Sequence, residues 1–409
     1  MAKDKRLIAI LLFIDFRKAF DLVDSKLLLL KLFHYGFDND ALALIENYFR
    51  DRQQQVKYRG TSSLFADIKL GVPQGSVLGP LFFLIFINDL PFLLELLCKL
   101  FADDTTLYLL GDNLESLISK FKDNLKPMLD WCKFNKLDIN WDKTYFMFVT
   151  NKRLGKKTPT VIPIDNSQVK VVENFKLLGV TIDNKLNFEK YSRDLRLSVN
   201  KKLYSIKRLF FLCTSVKIQF LKTFILPYFD YCLSLLIYFP KTTIQRINNC
   251  FNLCLYKLLN FKKSVDDNIE EFNENLSNYG LFSFQHRIMF KLFNFSHSII
   301  NNSNSPADLH QVFKQETYLK SRARSASLLL PAIKTHYGEK TFQFFFIKFF
   351  NNFGKKDFFA SYELFISNIN RNLNCIFRNF IKIFPIFDIF YKNLDYLDKK
   401  NKNKQNQNN

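Results

Sequence analysis

The sequence lacks paired cysteines. Cys98, Cys132, Cys213, Cys232, Cys250, Cys254 and Cys375 are odd in number and show none of the close pairs of a zinc site or a disulfide framework. Cys250 and Cys254 lie one helical turn apart with no His or other Cys nearby. They read as reduced core thiols, which suits a cytosolic or nuclear protein rather than a secreted one. A membrane span needs about 20 mostly apolar residues, and no run supplies them. Leu7 to Ile14 is too short and has no small-residue cleavage site, while Leu81 to Leu97 is broken by Asp89, Pro91 and Glu95 and reads as a buried helix. No internal repeat is present. Acidic residues are scarce, 38 against 59 Lys and Arg, giving a formal charge of +21. Such a chain favours a polyanionic partner, nucleic acid or a lipid surface. The absence of a sustained amphipathic basic helix argues against the lipid surface, and no membrane association is expected. What the chain does have is length and apolar content: 409 residues, 48% hydrophobic, enough for two or three domains. Its 48 Phe, with abundant Lys, Asn, Ile and Leu, carry the codon bias of an AT-rich genome and read mainly as core filler.

Along the chain, Leu7 to Ile14 is a continuous apolar run ending at Asp15, as expected of a strand buried on both faces with a carboxylate at its end. A helix is predicted from Ser25, with Asp24 as N-cap and Gly36 as stop, and a second over Asp40 to Arg50. Gln53 to Leu70 reads as a hairpin, and Ser76 to Leu97 as an apolar helix ended or kinked by Pro91. Lys99 to Leu110 reads as two short strands around Asp103 and Asp104. Asp112 and Glu115 have the spacing of a capping box opening a helix to Asn135. Leu137 to Val149 is predicted as strand. A Lys-, Thr- and Pro-containing linker at 152–163 precedes further strands at Gln168 to Val172 and Phe175 to Ile182. Beyond Asn187 the pattern turns helical, through Leu212, Val216 to Phe239 and Thr242 to Phe261. Asn301 to Pro306 is a polar linker, and the amide-rich tail from Lys399 is expected to be disordered.

Three carboxylates stand where strands end or turn: Asp15, Asp103 and Asp104. An Asp-Asp pair in a hairpin is ordinarily a solvated turn. Carboxylates on rigid adjacent strands can also hold two divalent ions about 3.5–4 Å apart, which lower the pKa of an attacking hydroxyl and stabilise the leaving group. Hard oxygen ligands select Mg²⁺ or Mn²⁺. Gly71, Pro73 and Gly75 form a backbone able to approach a ligand closely ahead of a helix N-terminus; a tight strand-to-helix turn is the plainer account. Asp21 and Asp24 read as a local polar cluster and an N-cap.

Phe13-Ile14-Asp15-Phe16-Arg17-Lys18-Ala19-Phe20-Asp21 resembles the first palm motif of reverse transcriptases of non-LTR (LINE-type) retrotransposons. Gly71-Val72-Pro73-Gln74-Gly75-Ser76-Val77-Leu78-Gly79-Pro80 resembles their second, and Phe101-Ala102-Asp103-Asp104-Thr105 their Phe-Ala-Asp-Asp box, in the family's order. The resemblance implies RNA-directed DNA polymerisation by two-metal nucleotidyl transfer from a deoxynucleoside triphosphate to a primer 3′-hydroxyl. RNA template and DNA primer or target would be the partners. Asp15, Asp103 and Asp104 are then the expected catalytic metal ligands, for two Mg²⁺ or Mn²⁺ ions. Phe20 would set a flat ring against the sugar and reject a 2′-hydroxyl, with core packing as its alternative. Gln74 and Gly75 would touch the nucleotide.

Asn135-Lys136-Leu137-Asp138-Ile139-Asn140-Trp141-Asp142-Lys143-Thr144 resembles the fourth motif, making Lys143 the candidate for protonating pyrophosphate. Phe175 to Asp183 resembles the fifth, a hairpin gripping the primer backbone, with Leu178 and Gly179 as candidate primer contacts and Gly179 permitting close approach of the strand. Lys201, Lys202, Lys207 and Arg208 would contact phosphates from the thumb, although charge runs on helices are usually solvated faces. Arg322-Ala323-Arg324, Tyr337-Gly338 and Phe350-Asn351 loosely resemble the region after the thumb, where Trp usually stands in place of Phe350. The implied fold class is α+β. An antiparallel palm sheet backed by helices, with the primer-grip hairpin, is expected over 1–186. A mainly α-helical thumb is expected over 187–300, a helical C-terminal region over 301–394, and a disordered tail over 395–409. The resemblance begins at the first palm motif, so the family's fingers and endonuclease fall outside it. Loss of the fingers' cations is expected to cost orders of magnitude in rate, and the alternative to an active polymerase is a catalytically inactive nucleic-acid-binding remnant.

Overall fold

The computed structural model describes residues 4–155, 158–206, 211–259, 269–302, 309, 330–333, 339, 341–353, 361–371 and 373–387. The chain divides into two compact units, residues 2–175 and a second from 176 onward.

The first unit is α+β. β1 (Ile8–Ile14) is followed by α1 (Ser25–His34) and α2 (Asn39–Phe49), then by the short strands β2 (Gln53–Gln54), β3 (Lys57–Tyr58), β4 (Thr61–Ser62) and β5 (Ala66–Asp67). β2 pairs with β5 and β3 with β4, so the expected hairpin forms in two ladders, both exposed. α3 (Leu78–Ile87) leads to β6 (Leu97–Phe101) and β7 (Asp104–Gly111), then to α4 (Leu114–Asp123), α5 (Lys126–Asn135), β8 (Tyr145–Val149), β9 (Val161–Ile164) and β10 (Ser167–Val171). The main sheet has the order β6-β7-β1-β8-β10-β9. β1 lies between β7 and β8, and its side chains are buried on both faces of the sheet, as its apolar run requires. Ile8, Ile10, Leu12 and Ile14 join the helices' core, while Phe13 stacks on Phe175 with ring centroids 4.0 Å apart.

Several expectations are corrected here. The sheet is mixed, because β8 and β10 run parallel. The segment before β8 is a 3-10 turn, Trp141–Lys143, rather than a strand beginning at Leu137. The supposed linker contains β9, paired with β10. The helix expected from Asp112 to Asn135 is two helices, with Pro in the first turn of the second. The first of these, α4, is capped by Asn113, whose side chain accepts the Ser116 N–H at 3.1 Å. Asp112 instead faces Lys152, 3.7 Å away.

Two polar devices tie the helices together. Asp24 caps α1 through the N–H groups of Lys26 and Leu27 and accepts from Lys136 Nζ at 2.6 Å. Burial pushes its pKa up, but these hydrogen bonds prevail and hold it below the usual carboxylate value. Lys31, on α1, donates to the Phe86 carbonyl at 2.6 Å and to Asp89 at 2.9 Å, and its ammonium lies over the rings of Phe86 and Trp131. Trp131 Nε1 completes the cluster, donating to Asp89 at 3.1 Å.

The second unit is mainly helical. β11 (Asn174–Leu177), which spans the division, and β12 (Val180–Asp183) form a hairpin. Buried Asp183 accepts the N–H groups of Lys185, Asn187 and Phe188, turning the chain into α6 (Glu189–Ile206). α7 (Thr214–Phe220) continues through a π-helical turn, Leu221–Ile225, into α8 (Leu226–Asp230). Pro227 has no N–H and its ring would strike the carbonyl four residues earlier in a regular helix; the wider turn accommodates both. A 3-10 segment, Leu233–Tyr238, precedes α9 (Lys241–Leu259), α10 (Ile269–Ser277) and α11 (Phe284–Asn301). Helices Phe342–Asn352, Tyr362–Arg371 and Leu373–Ile383 follow. Much of the Phe content fills this core: Phe229, Phe251, Phe284, Phe346 and Phe349 are fully buried. Cys250 and Cys254 are buried free thiols.

His286 is also buried here. Its Nδ1 meets Ser283 Oγ at 3.0 Å and its ring lies against Phe377, while Nε2 has no hydrogen-bond partner. Among the described residues no helix is long and apolar enough to cross a membrane. Lys207, Arg208, Arg322-Ala323-Arg324, Tyr337-Gly338 and the tail from 388 lie outside the described residues.

Candidate functional site

Strand register brings two of the three expected carboxylates together. β1 and β7 pair as far as Ile14 opposite Thr105, so the next step sets Asp15 opposite Asp104. β6 and β7 close on the pair Phe101 and Asp104, leaving Ala102 and Asp103 as a two-residue turn. Ala102 lies in the left-handed region at φ 51°, which costs a residue with a Cβ about 1–2 kcal/mol. The β6–β7 ladder sustains that strain, and the turn sets Asp103 beside the strand that carries Asp104. Burial raises the pKa of Asp104, and the negative charges of Asp103 and Asp15 raise it further. None of the three is ion-paired with a basic side chain among the described residues. Their side chains do not close into a finished coordination sphere: no group of three His, Cys, Asp or Glu poised to hold a metal occurs among the described residues.

Asp15 is also tied to a segment that sequence reasoning left unconnected. Asn140 Nδ2 donates to its carboxylate at 2.9 Å, and the Asn140 N–H to its carbonyl at 2.7 Å. Phe16 bridges to Ile139, and the Arg17 N–H donates to the Asp138 carbonyl at 2.8 Å. The segment carrying Lys143 is thus laced to the residues that follow β1. Asp15 and Lys143 line one cleft of about 540 Å³, together with Arg17, Lys18, Asn140 and the acidic side chains of Asp138 and Asp142. Asn140 was visible only as part of the fourth motif, and no sequence signal paired it with Asp15.

The second motif docks on the first. Gly71 has φ +94°, and a Cβ there would lie 2.7–2.9 Å from backbone atoms of Asp21. That approach lets the Gly71 N–H reach the Val23 carbonyl at 2.8 Å and the Val72 N–H reach Phe20 at 2.9 Å. Gln74 Nε2 donates to Asp21 at 2.8 Å, so Asp21 orients Gln74 rather than standing in a merely local cluster. Gly75 has φ +82° with open space around it. Ser76 Oγ accepts the Gly79 N–H at 2.9 Å and closes the first turn of α3. Phe20 is half-buried and stacks on Phe83, centroids 4.3 Å apart, so core packing takes one of its faces.

In the second unit, Leu178 and Gly179 form the two-residue turn between β11 and β12, both with positive φ (46° and 81°), as a type I′ hairpin turn requires. The free face of Gly179 is taken by a protein side chain: its Cβ position lies 3.3 Å from Tyr231 Cε1. Lys201 and Lys202 are exposed on α6.

Residues 1–182 match the family model described as reverse transcriptase (RNA-dependent DNA polymerase). Three curated relatives come from Drosophila melanogaster. The probable RNA-directed DNA polymerase from transposon X-element is 28% identical over 197 residues, covering 47% of this chain and 21% of that protein. The probable RNA-directed DNA polymerase from transposon BS is 31% identical over 186 residues, covering 43% and 20%. The RNA-directed DNA polymerase from mobile element jockey is 25% identical over 201 residues, covering 47% and 21%. The chain therefore spans about a fifth of the length of these relatives. Among solved structures, apo telomerase from Candida tropicalis superposes with a TM-score of 0.36 at 13% identity, over 74% of this chain and 52% of that one.

Proposed function

We propose that this chain, whose residues 1–182 are a reverse transcriptase domain of the non-LTR retrotransposon type, extends a DNA primer along an RNA template using deoxynucleoside triphosphates. The observation that carries the proposal is the placement of Asp15 opposite Asp104 with Asp103 in the adjoining turn. The negative charges of Asp103 and Asp15 raise the pKa of Asp104, and carboxylate oxygens are the donors that suit hard divalent ions. Asp15, Asp103 and Asp104 would hold two Mg²⁺ or Mn²⁺ ions, which when bound supply a lowered pKa at the primer 3′-hydroxyl and charge neutralisation on the leaving pyrophosphate.

The remaining roles belong to the chain's own groups. Asn140 orients the Asp15 carboxylate through its 2.9 Å hydrogen bond. Lys143, on the same cleft as Asp15, delivers a proton to pyrophosphate. Phe20, braced by Phe83, excludes a 2′-hydroxyl by bulk. Gln74, oriented by Asp21, and the open Gly75 meet the nucleotide. Residues 1–186 act as the palm with its hairpin. The Leu178–Gly179 turn holds the primer backbone, and Lys201 and Lys202 on the thumb, residues 187–300, meet phosphates. The chain works in the cytoplasm or nucleus, where its nucleic acids are found.

The test is primer extension by the purified chain on an RNA template with a DNA primer, Mg²⁺ and deoxynucleotides. Extension that disappears in Asp103→Ala, with duplex binding retained, is expected. Extension that survives Asp103→Ala would remove the carboxylates from the mechanism.

A further inference from the structure

The Leu178–Gly179 turn is held from outside its own hairpin. The Tyr231 hydroxyl donates to the Leu178 carbonyl. Its ring lies against the Cα of Gly179, with Cε1, Oη and Cζ at 3.3, 3.5 and 3.7 Å from the missing Cβ. Nothing within a two-strand ribbon fixes how far its turn projects, and an isolated hairpin is at best marginally stable. A phenol that both packs on one turn residue and bonds the carbonyl of the other supplies that restraint.

Tyr231 is itself anchored. It follows the last residue of α8, with its N–H on the Pro227 carbonyl at 3.0 Å, and its own carbonyl lies 3.5 Å from the Tyr191 hydroxyl. The preceding residue, Asp230, makes a two-pronged pair with Arg287 of α11, Nε to Oδ1 at 2.9 Å and a guanidinium nitrogen to Oδ2. Both side chains are mostly buried, 17% and 25% exposed, where a bidentate pair fixes direction as well as distance. Leu178 and Tyr231 are nevertheless 39% and 51% exposed. The restraint is thus built at a surface and tied back into the helical core through α11.

We infer that Tyr231 is a positioning residue, anchored by the Asp230–Arg287 pair, that sets the Leu178–Gly179 turn at a fixed height for contact with the sugar-phosphate backbone of a primer duplex. The inference rests on the proposed primer-holding role of that turn. Tyr231→Phe keeps the ring on Gly179 and removes only the hydrogen bond to Leu178. Arg287→Gln keeps the tyrosine and loosens its anchor.

The experiment measures binding of a fluorescein-labelled RNA–DNA duplex with a recessed DNA 3′ end by fluorescence anisotropy, in the full chain. Hydrogen exchange at residues 178–180 and the thermal midpoint are measured in the same preparations. Tyr231→Phe is expected to weaken duplex binding about three- to tenfold, the value of one neutral hydrogen bond. Exchange at 178–180 should quicken while the thermal midpoint stays in place. Combining it with Arg287→Gln should cost less than the sum of the two, because both act through one turn. Leu178→Glu, which sets a negative charge on the turn, serves as the separate check and is expected to weaken binding at least as much. If Leu178→Glu weakens binding and Tyr231→Phe does not, the positioning role of Tyr231 is wrong and the turn's primer contact stands. If Leu178→Glu binds the duplex like the parent chain, the turn does not face the nucleic acid and both fall.

Discussion

Replacing Gly71 by Ala adds two separable penalties. A left-handed φ of +94° costs a residue with a Cβ about 1–2 kcal/mol. The new methyl would also stand 2.7–2.9 Å from the carbonyl oxygen, Cα and carbonyl carbon of Asp21. These are backbone atoms that cannot swing aside, and overpacking of this kind costs about 1–3 kcal/mol. Gly75→Ala meets the first penalty only, since φ is +82° but no atom lies within 4 Å of its Cβ position. Gly71→Ala should therefore lose about 2–5 kcal/mol and Gly75→Ala about 1–2 kcal/mol. Both tryptophans, Trp131 and Trp141, belong to the first unit, so urea unfolding followed by tryptophan fluorescence reports on the unit that contains both substitutions. Equal losses would show that the approach of Gly71 to Asp21 contributes nothing, and the docking of the Gln74 loop would need another explanation.

Two further outcomes test the packing. Lys31→Met preserves the apolar stem but removes the ammonium from Asp89 and the Phe86 carbonyl. Because Asp89 is 40% exposed, water replaces part of the lost pairing, and the loss should be about 1–2 kcal/mol rather than that of a fully buried broken pair. In a double-mutant cycle with Asp89→Asn, strictly additive losses would show that the two side chains do not interact. Burial of His286 lowers its pKa to about 4, below the ordinary 6.5, so the unfolded chain takes up the proton first. The stability this neutral imidazole contributes is complete above about pH 6.5 and declines as pH falls toward 4, by about 2 kcal/mol at pH 5. Denaturation followed by far-ultraviolet circular dichroism should show that decline, and His286→Phe should flatten it; an unchanged slope in the variant would assign the pH dependence to other groups.

The parts of the site carried by local pattern were readable in advance. The apolar run of β1 announces a central strand with Asp15 at its end, and the short runs flanking Asp103 and Asp104 announce a hairpin. Asp24 is legible as a cap because its partners lie two and three residues away. Pairings across long separations were not legible. Nothing near Asn140 points to Asp15, and nothing near Gln74 points to Asp21, because periodicity reports which side chains are buried and not what they meet. Strand direction is equally invisible, so the parallel pairing of β8 with β10 emerges only from the fold. Asp112 and Asn113 are equally good capping types, and local pattern does not choose between them; the helix begins at Leu114, so Asn113 takes the cap. β9 reads as linker because Pro163 is a poor strand residue; Pro is tolerated there on the edge strand of the sheet.

The π-helical turn at Leu221–Ile225 is a phase element as much as an accommodation of Pro227. Each residue of a regular helix advances the side chains by about 100°, so one residue more or fewer in that turn rotates everything after it by that angle while hardly changing the helix's length. Asp230 faces Arg287, and Tyr231 faces the β11–β12 turn, because the count from Thr214 includes the wide turn. A one-residue deletion there would set the Pro227 ring against the preceding turn and aim the last residues of the helix elsewhere. In this stretch of chain, spacing carries the constraint that elsewhere falls on side-chain identity.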